Sequence, residues 1–577
     1  MAETLISPGV FTRENDISFI QPAPVEAGAA IIGPTVKGPV EIPTVVTSYN
    51  DYVRKFGVTF ESGSDVHEFF TSLAVKNYFQ QGGNTCLVTR VVDGTFTSAT
   101  STNIEKNTGG GINSFVLKTI GKGTLYNNGT NAATPGPANA GQSLVSGSAD
   151  NVRWEITNKD VNKGTFSLLI RRGDDSHSNK IVLETFNDVS LDPNSNNYIE
   201  RVIGNQVLTI STDGTQVETT GNYINKSNYV YVSTVGAPTL NYLGTDGVTV
   251  QTDSAGNSFS GSLPNEGSGS FFGASGTVAG GANLYDSIDT NTQGLEASDY
   301  SKVITLLGNK DDYKFNVISA PGITNEDHGT TVDSLISLAE TRGDCIAVVD
   351  LVGYGSTVTA VNTQAADLNS SYAASYWPWL QTQTGAGKIV WAPASVFIPG
   401  TYAFTDNSAA PWFAPAGLVR GGLTGAIQAQ KKLSRSDRDS LYSNKVNPIA
   451  TFPGTGLAVF GQKTLQTKAS ALDRVNVRRL LIDLKEFIGN QADTLVFEQN
   501  TAATRLNFLN QVNPFLASVQ ERQGLFAFRV VMDESNNTSD VVDRNQLVGQ
   551  IFVQPTRTVE FIILDFNITP TGAEFPE

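Results

Sequence analysis

Between residues 96 and 297 the sequence changes texture, and this interruption constrains the fold more than any other feature. The stretch is dense in Gly, Ser, Thr and Asn. Short strand-like pieces (SFVLKTI, FSLLIRR, IVLETF, YIERVI and YVYVSTV) alternate with loop material such as NNGTNAATPGPANAGQS. Closely spaced short strands with turn signals between them predict one or two β-rich domains. The chain on either side reads as α/β, and 577 residues are too many for one core. The expectation is therefore an α/β (α+β) body built from both ends of the chain, with a β-rich outer region inserted into it. The boundaries read as an extended N-terminal arm over 1–25, the first part of the body over 26–95 and the insertion over 96–297. The second part of the body with a C-terminal domain covers 298–545, and C-terminal strands cover 546–577.

Within the first part, AGAAIIG (27–33) and TCLVTRVV (85–92) read as buried strands. DVHEFFTSLAVKNYFQQGG (65–83) reads as a helix between them. Asp65 with Glu68 resembles a capping box, Gly82-Gly83 is a stop signal, and Val66, Phe69, Phe70 and Leu73 share one face. His67 falls on this helix at the surface. In the second part KFNVISAPG, DCIAVVDLVG and GKIVWAPAS read as successive buried strands. DRVNVRRLLIDLKEFIG (473–489) is the clearest helix, capped by Asp473, ended by Gly489, and buried along Val477, Leu480, Leu481, Leu484 and Ile488. A second helical run (501–524) contains Pro514, which predicts a kink or a restart. Strands AFRVVM (527–532) and QIFVQ (550–554) follow.

Composition narrows the function. Hydrophobic residues make up 39% and charged residues 16%, a globular profile. The net charge of −16 argues against binding nucleic acid or anionic membrane surfaces. Cys86 and Cys345 lie far apart in strand-like runs, so no disulfide framework is expected and a reducing compartment fits. No apolar stretch is long enough to span a membrane, and MAETLISPGV lacks the pattern of a signal peptide. The expected site of synthesis is a cytoplasm.

Catalytic chemistry has little to stand on. GLAVFGQKT (456–464) almost matches a phosphate-binding loop, but it carries one residue too many before Lys463. Leu457, Ala458, Val459 and Phe460 favour a strand over a curled backbone. GAGKI (385–389) has no Ser or Thr after the Lys. His67, His177 and His328 sit in different regions, and no cluster has zinc spacing. MDESNNTSD (532–540), with Asp533, Glu534 and Asp540, reads as a polar turn rather than a cation site. Trp377, Trp379, Trp391 and Trp412 read as core. The expectation is a protein that is not an enzyme, with no cofactor and no metal.

The two ends of the chain point elsewhere. TVEFIILDFNIT (558–569) has one fully apolar face and one half-apolar face, and little chain follows to pair with it. SPGVFTREND, near the start, bends at Pro8-Gly9 and then runs extended. Bare strands outside a body recruit other chains, and extended arms can add to a neighbour's sheet edge. Candidate interface residues are Pro8, Gly9, Val10, Phe11, Thr12 and Arg13 in the first arm. In the C-terminal strands they are Ile551, Val553, Phe561, Ile562, Ile563, Leu564 and Phe566. Head-to-tail contacts of this kind generate rings or helical arrays.

These residues also resemble a known family. SPGVFTREND followed by AGAAIIGPTVKGPVEIPTVVTSYNDYVRKFG is similar to the N-terminal signature of the tail sheath proteins of contractile-tailed bacteriophages. GTYAFTD, PWFAPAGLVRGGL, DSLYSNKVNPIATFPGTGLAVFGQKT, RVNVRRLLIDLKEFIG, TLVFEQNTAATR, DESNNT and the Pro555/Glu560/Phe561 ending follow the family pattern in order. The resemblance covers about 1–95 and 300–577 and leaves the middle region uncovered. It implies hexameric rings stacked helically around an inner tail tube, with baseplate and tail terminator proteins as further partners and no membrane insertion. It also implies a sheath that contracts without nucleotide to drive the tube through the host envelope. The place of action is the virion tail, after assembly in the host cytoplasm. The tube-facing surface is expected on the helix at 474–489, with Arg474, Arg478, Arg479 and Lys485 as candidates, and on the loop after it. The alternatives are the sheath of a headless, pyocin-like injection system, a β-rich adhesin, and a nucleotide-dependent enzyme.

Overall fold

The computed structural model describes residues 25–560, except 63–64, 110, 128–143, 145–146, 279–292, 294, 296 and 455. The first part holds β1 (Val25–Gly33), β2 (Thr44–Val46), α1 (Tyr49–Phe56), β3 (Thr59–Ser62), β4 (Asp65–Glu68), α2 (Phe70–Gln80) and β5 (Cys86–Arg90). The middle holds β6 (Ser98–Ser101), β7 (Phe115–Lys122), β8 (Val152–Asp160), β9 (Thr165–Arg172) and β10 (Val182–Ser190). It continues with α3 (Ile199–Ile203), β11 (Val207–Ile210), β12 (Val217–Thr220), β13 (Val230–Val235) and β14 (Gly267–Phe272). Then come α4 (Ser301–Leu306), β15 (Tyr313–Thr324), α5 (Asn325–Arg342), β16 (Ile346–Asp350), α6 (Val358–Ala366), β17 (Ala373–Trp377), β18 (Leu380–Gln383) and β19 (Ile389–Ala392). The chain goes on through α7 (Ile398–Ser408), α8 (Gly417–Arg420), β20 (Ala426–Ala429), α9 (Arg435–Ser443), β21 (Val446–Phe452) and β22 (Gly456–Val459). It closes with α10 (Val475–Asp493), α11 (Ala502–Glu521), β23 (Leu525–Val531), α12 (Ser539–Asp543) and β24 (Gln550–Pro555).

The central sheet runs β2-β5-β1-β15-β16-β17-β21-β22, drawing strands from both sides of the middle region. Its inner pairs are parallel, and the outermost strands β2 and β22 are antiparallel. A parallel sheet is covered on both faces, which is why its strands read as continuous apolar runs. In β1, Ala29 and Ile31 enter one core while Ala30 and Ile32 enter the other. Helices α2 and α7 cover the first face, and α4, α5 and α6 cover the second. Helix α5 is fixed at both ends: the Thr324 hydroxyl accepts from Asp327 N, and Gly343 closes the helix in the left-handed region at φ 69°.

The middle region forms an antiparallel sheet in the order β10-β9-β8-β14-β6-β7-β13, with its own core around Trp154, Phe115, Phe166 and Leu168. The hairpin β11–β12 leaves that sheet and packs Ile210 and Val217 against the second core of the body.

Several expectations are corrected. Residues 65–68 are not helical. They form β4, which pairs with β3, and α2 starts at Phe70 with no side-chain cap. Ring packing decides this: Phe60 stacks on Phe69 at 4.7 Å and meets His67 at 5.6 Å, so His67 is buried and Val66 faces out. YIERVI is the short helix α3 rather than a strand, because Ile199 and Ile203, one turn apart, both enter the core. GKIVWAPAS contributes β19 to a separate sheet, β19-β18-β20, not to the body sheet. Helix α10 has Arg474 rather than Asp473 at its N-cap and continues past Gly489 to Asp493. The run containing Pro514 is the single helix α11. TVEFIILDFNIT is irregular over Thr558–Glu560, and its remainder lies outside the described residues.

Candidate subunit-interface site

The C-terminal domain is organised around a small core of Leu480, Leu484, Phe508, Val512, Leu516 and Val519, contributed by α10 and α11, closed by Leu525 and Met532. The antiparallel hairpin β23–β24 lies on this core. Its cross-strand pairs Phe528↔Val553 and Val530↔Ile551 turn inward, half-buried against the cluster. Phe552 and its partner Arg529 turn outward, and Phe552 is 57% exposed. So Ile551 and Val553, expected at an interface, pack their side chains on their own domain. The outer backbone edges of this hairpin stay open: among the described residues no third strand pairs with β23 or β24. The other expected interface residues, Pro8–Arg13 and Phe561–Phe566, lie outside the described residues.

The four cationic candidates separate. Arg478 and Arg479 are each 4% exposed. Arg478 donates to Ser371 O and Oγ at 3.1 and 2.5 Å, and its guanidinium lies 3.9 Å from the Tyr372 ring centroid. Burial lowers its basicity. Arg479 grips the Asp406 carboxylate at 2.6 and 2.5 Å and covers Tyr402 at 4.6 Å. Both are internal struts, because their partners Ser371 and Asp406 lie in the body, across the junction from the C-terminal domain. Lys485 is exposed and donates to the Tyr372 hydroxyl at 3.1 Å.

Arg474 is half-buried and meets Glu560 in a forked pair, Nε to Oε1 at 2.7 Å and Nη2 to Oε2 at 3.0 Å. The Tyr442 hydroxyl donates to the same carboxylate at 2.9 Å, and Gln462 Nε2 reaches it at 3.3 Å. Burial, and then the charge of Glu560, pushes the Tyr442 phenol up. Burial opposes the charge on Arg474, but its bond to Glu560 leads the influences that raise it overall. These partners stand 86, 118 and 98 residues from Glu560 along the chain, so no local pattern announces them.

The loop between α10 and α11 carries another feature that periodicity missed. Phe497 is fully exposed at φ 72°, beside Val496 (59% exposed), and Leu506 on α11 is also exposed (56%). The only signal for it was an apolar pair in an interhelix loop. Elsewhere, GLAVFGQKT places β22 beside β21 and sends Lys463 Nζ to Tyr442 O at 2.8 Å, in line with its strand character. MDESNNTSD is a turn in which Asp533 accepts from Ser535. Among the described residues no cluster of His, Cys, Asp or Glu has metal-binding geometry, and no helix is long and apolar enough to cross a membrane.

Comparison with known proteins places these elements. Residues 293–465 match the phage tail sheath protein central domain, and residues 467–569 match the phage tail sheath C-terminal domain. The tail sheath protein of Vibrio phage KVP40 is 41% identical over 187 residues, covering 32% of this chain and 28% of that one. The tail sheath protein of Enterobacteria phage T4 is 31% identical over 279 residues, covering 45% of this chain and 42% of that one. The chain thus spans less than half the length of these curated relatives. The crystal structure of a sheath tail protein from Listeria innocua shares the fold at a TM-score of 0.50, with 12% identity, over 92% of this chain and 96% of that one. Over residues 293–465 and 467–569 the chain thus carries matches to the central and C-terminal domains of the phage tail sheath family.

Proposed function

We propose that this chain is the structural, non-catalytic subunit of a contractile tail sheath. Copies polymerise as stacked hexameric rings around an inner tail tube. The assembly contracts between two packings of the same bodies and drives the tube through the host envelope. The observation that carries this reading is the run of both sheath domains over 293–569. The bare hairpin β23–β24 supports it, since a two-stranded sheet is marginal alone and gains from an added strand. The terminal segments 1–25 and 556–577 are the donors of such strands. Each main-chain bond contributes about 0.5–1.5 kcal/mol net, so a strand of about six residues repeated over many subunits holds a lattice. The partners are other copies, the tube protein, the baseplate and a terminator. The place is the virion tail, after assembly in the host cytoplasm. With Arg478 and Arg479 internal, the tube-facing surface centres on Lys485 and the Val496–Phe497 tip.

The test is truncation followed by negative-stain microscopy. Full-length chain forms striated hollow cylinders. Removing residues 1–20, or everything after Pro555, leaves a folded body that forms none. Cylinders from either truncated chain would overturn the arm mechanism.

A further inference from the structure

The last ladder contact of β24 is followed by a bond from Thr556 N to Gly524 O at 3.2 Å. Beyond it the chain leaves the hairpin but does not leave the molecule. Gln462 Nε2 donates to Thr558 Oγ1 at 2.5 Å, and two residues later Glu560 sits between Arg474, Tyr442 and Gln462. These holders come from three places: Tyr442 from α9, Gln462 from the turn after β22, and Arg474 from the N-cap of α10. Residues 556–560 therefore cross from the C-terminal domain back to the central domain.

The holder is built for a carboxylate. Arg474 supplies a fork and is itself held by Asp473 at 3.0 Å. Lys463 lies 4.4 Å from the Tyr442 ring centroid. Without Glu560, two cations would face one carboxylate, Asp473. The positive end of α10 favours an anion at the same place.

We propose that Glu560 is the positioning residue of the C-terminal arm, a carboxylate seated in the Arg474–Tyr442–Gln462 holder that fixes where the arm departs for a neighbouring copy. This rests on the sheath reading, because only an arm with a destination needs a fixed root. The physical gain is preorganisation. Released from the holder, the arm would swing from Pro555 on about five further residues, roughly 17 Å of extra reach. A longer tether lowers the effective concentration of the strand at its acceptor edge.

Two measurements on the full-length chain test this, with Glu560→Ala and Glu560→Gln as variants and thermal melts showing that each is folded. Trypsin cleavage after Arg557, followed by mass spectrometry on the unpolymerised chain, reports the holder itself. Release speeds this cut about tenfold in the variants. Sedimentation reports assembly, and the variants need about a tenfold higher concentration to form cylinders. The exchanged pair Arg474→Glu with Glu560→Arg recovers part of both. Cleavage at the wild-type rate in Glu560→Ala overturns the proposal. So does faster cleavage with unchanged assembly, which would leave Glu560 as a tether with no positioning role. If the wild type forms no cylinders, the sheath reading falls and the positioning role falls with it, while the cleavage rates still show whether the holder exists.

Discussion

At the scale of single residues, the buried carboxylate of Asp350 makes a sharp prediction. It sits at the end of β16, bonded by Ser395 Oγ at 2.5 Å and by the N–H groups of Ser395 and Gly322 at 3.2 and 3.4 Å. Burial pushes its carboxyl up to about 6, and these three bonds only partly offset the push. A raised folded value means that the folded chain holds a proton which the unfolded chain releases near pH 4. The stability this gives is fully present below that point and is lost as pH rises to about 6. Asp350→Asn removes this slope. The variant should gain up to about 3 kcal/mol over wild type near pH 7 and nothing near pH 4, read from urea melts at the two pH values. Sequence did not mark Asp350 out, since DCIAVVDLVG reads as any buried strand. Gln293 was equally silent: its side-chain oxygen accepts the Phe70 N–H at 3.1 Å and supplies the cap that α2 lacks locally. Such contacts are closed by the fold across 28 to 223 residues, so composition and spacing carry no trace of them.

At the scale of elements, legibility followed the length of the apolar pattern. The continuous runs of β1, β15 and β16 stand out because both faces of a parallel sheet are buried. The stripe on α10 stands out because its period persists for several turns. Errors arose where a short segment satisfied two patterns. Asp65–Glu68 has the spacing of a capping box and also the length of a hairpin strand, and the aromatic packing of Phe60 selected the strand. In α11 the stripe Phe508, Val512, Leu516 and Val519 continues on one face across Pro514. Packing on both sides of the proline holds the helix together despite a missing N–H. Pro514 is itself exposed, so Pro514→Ala should restore a helical bond without opening a cavity. The expected gain is about 1–3 kcal/mol in chemical denaturation, with the helical circular dichroism signal unchanged or slightly higher. A loss of stability would show that the helix depends on the proline's own backbone geometry.

At the scale of the whole molecule, the sequence changes texture after residue 95, and a Gly/Ser/Thr/Asn-rich β pattern does not continue an α/β one. How the two parts are joined was not legible there. The join centres on Arg90, at the end of β5 and only 1% exposed. Its Nη1 donates both to Gly38 O in the body at 2.9 Å and to Lys122 O, at the end of β7 in the outer sheet, at 2.8 Å. Its guanidinium covers the Phe96 ring at 5.1 Å. Lys37 adds an ion pair with Asp150 at 3.1 Å, and the hairpin β11–β12 adds apolar contact. The outer sheet and the body have separate cores, so the contacts across this junction make their unfolding cooperative. Arg90→Met keeps most of the apolar stem but removes the charged donor from both carbonyls, leaving Gly38 O with the Lys122 N–H at 3.2 Å, a cost of about 1–3 kcal/mol. That cost falls on the junction rather than on either core. Calorimetry should therefore show one transition splitting into two. Trp154 is the outer sheet's tryptophan, whereas Trp377 and Trp379 are buried in the body and Trp412 in the C-terminal domain, so fluorescence can assign the outer sheet. In Arg90→Met the Trp154 signal, isolated by comparison with Trp154→Phe, should change at a different temperature from the rest. A single transition shifted as a whole would mean that the two cores are coupled elsewhere, through the hairpin or Lys37.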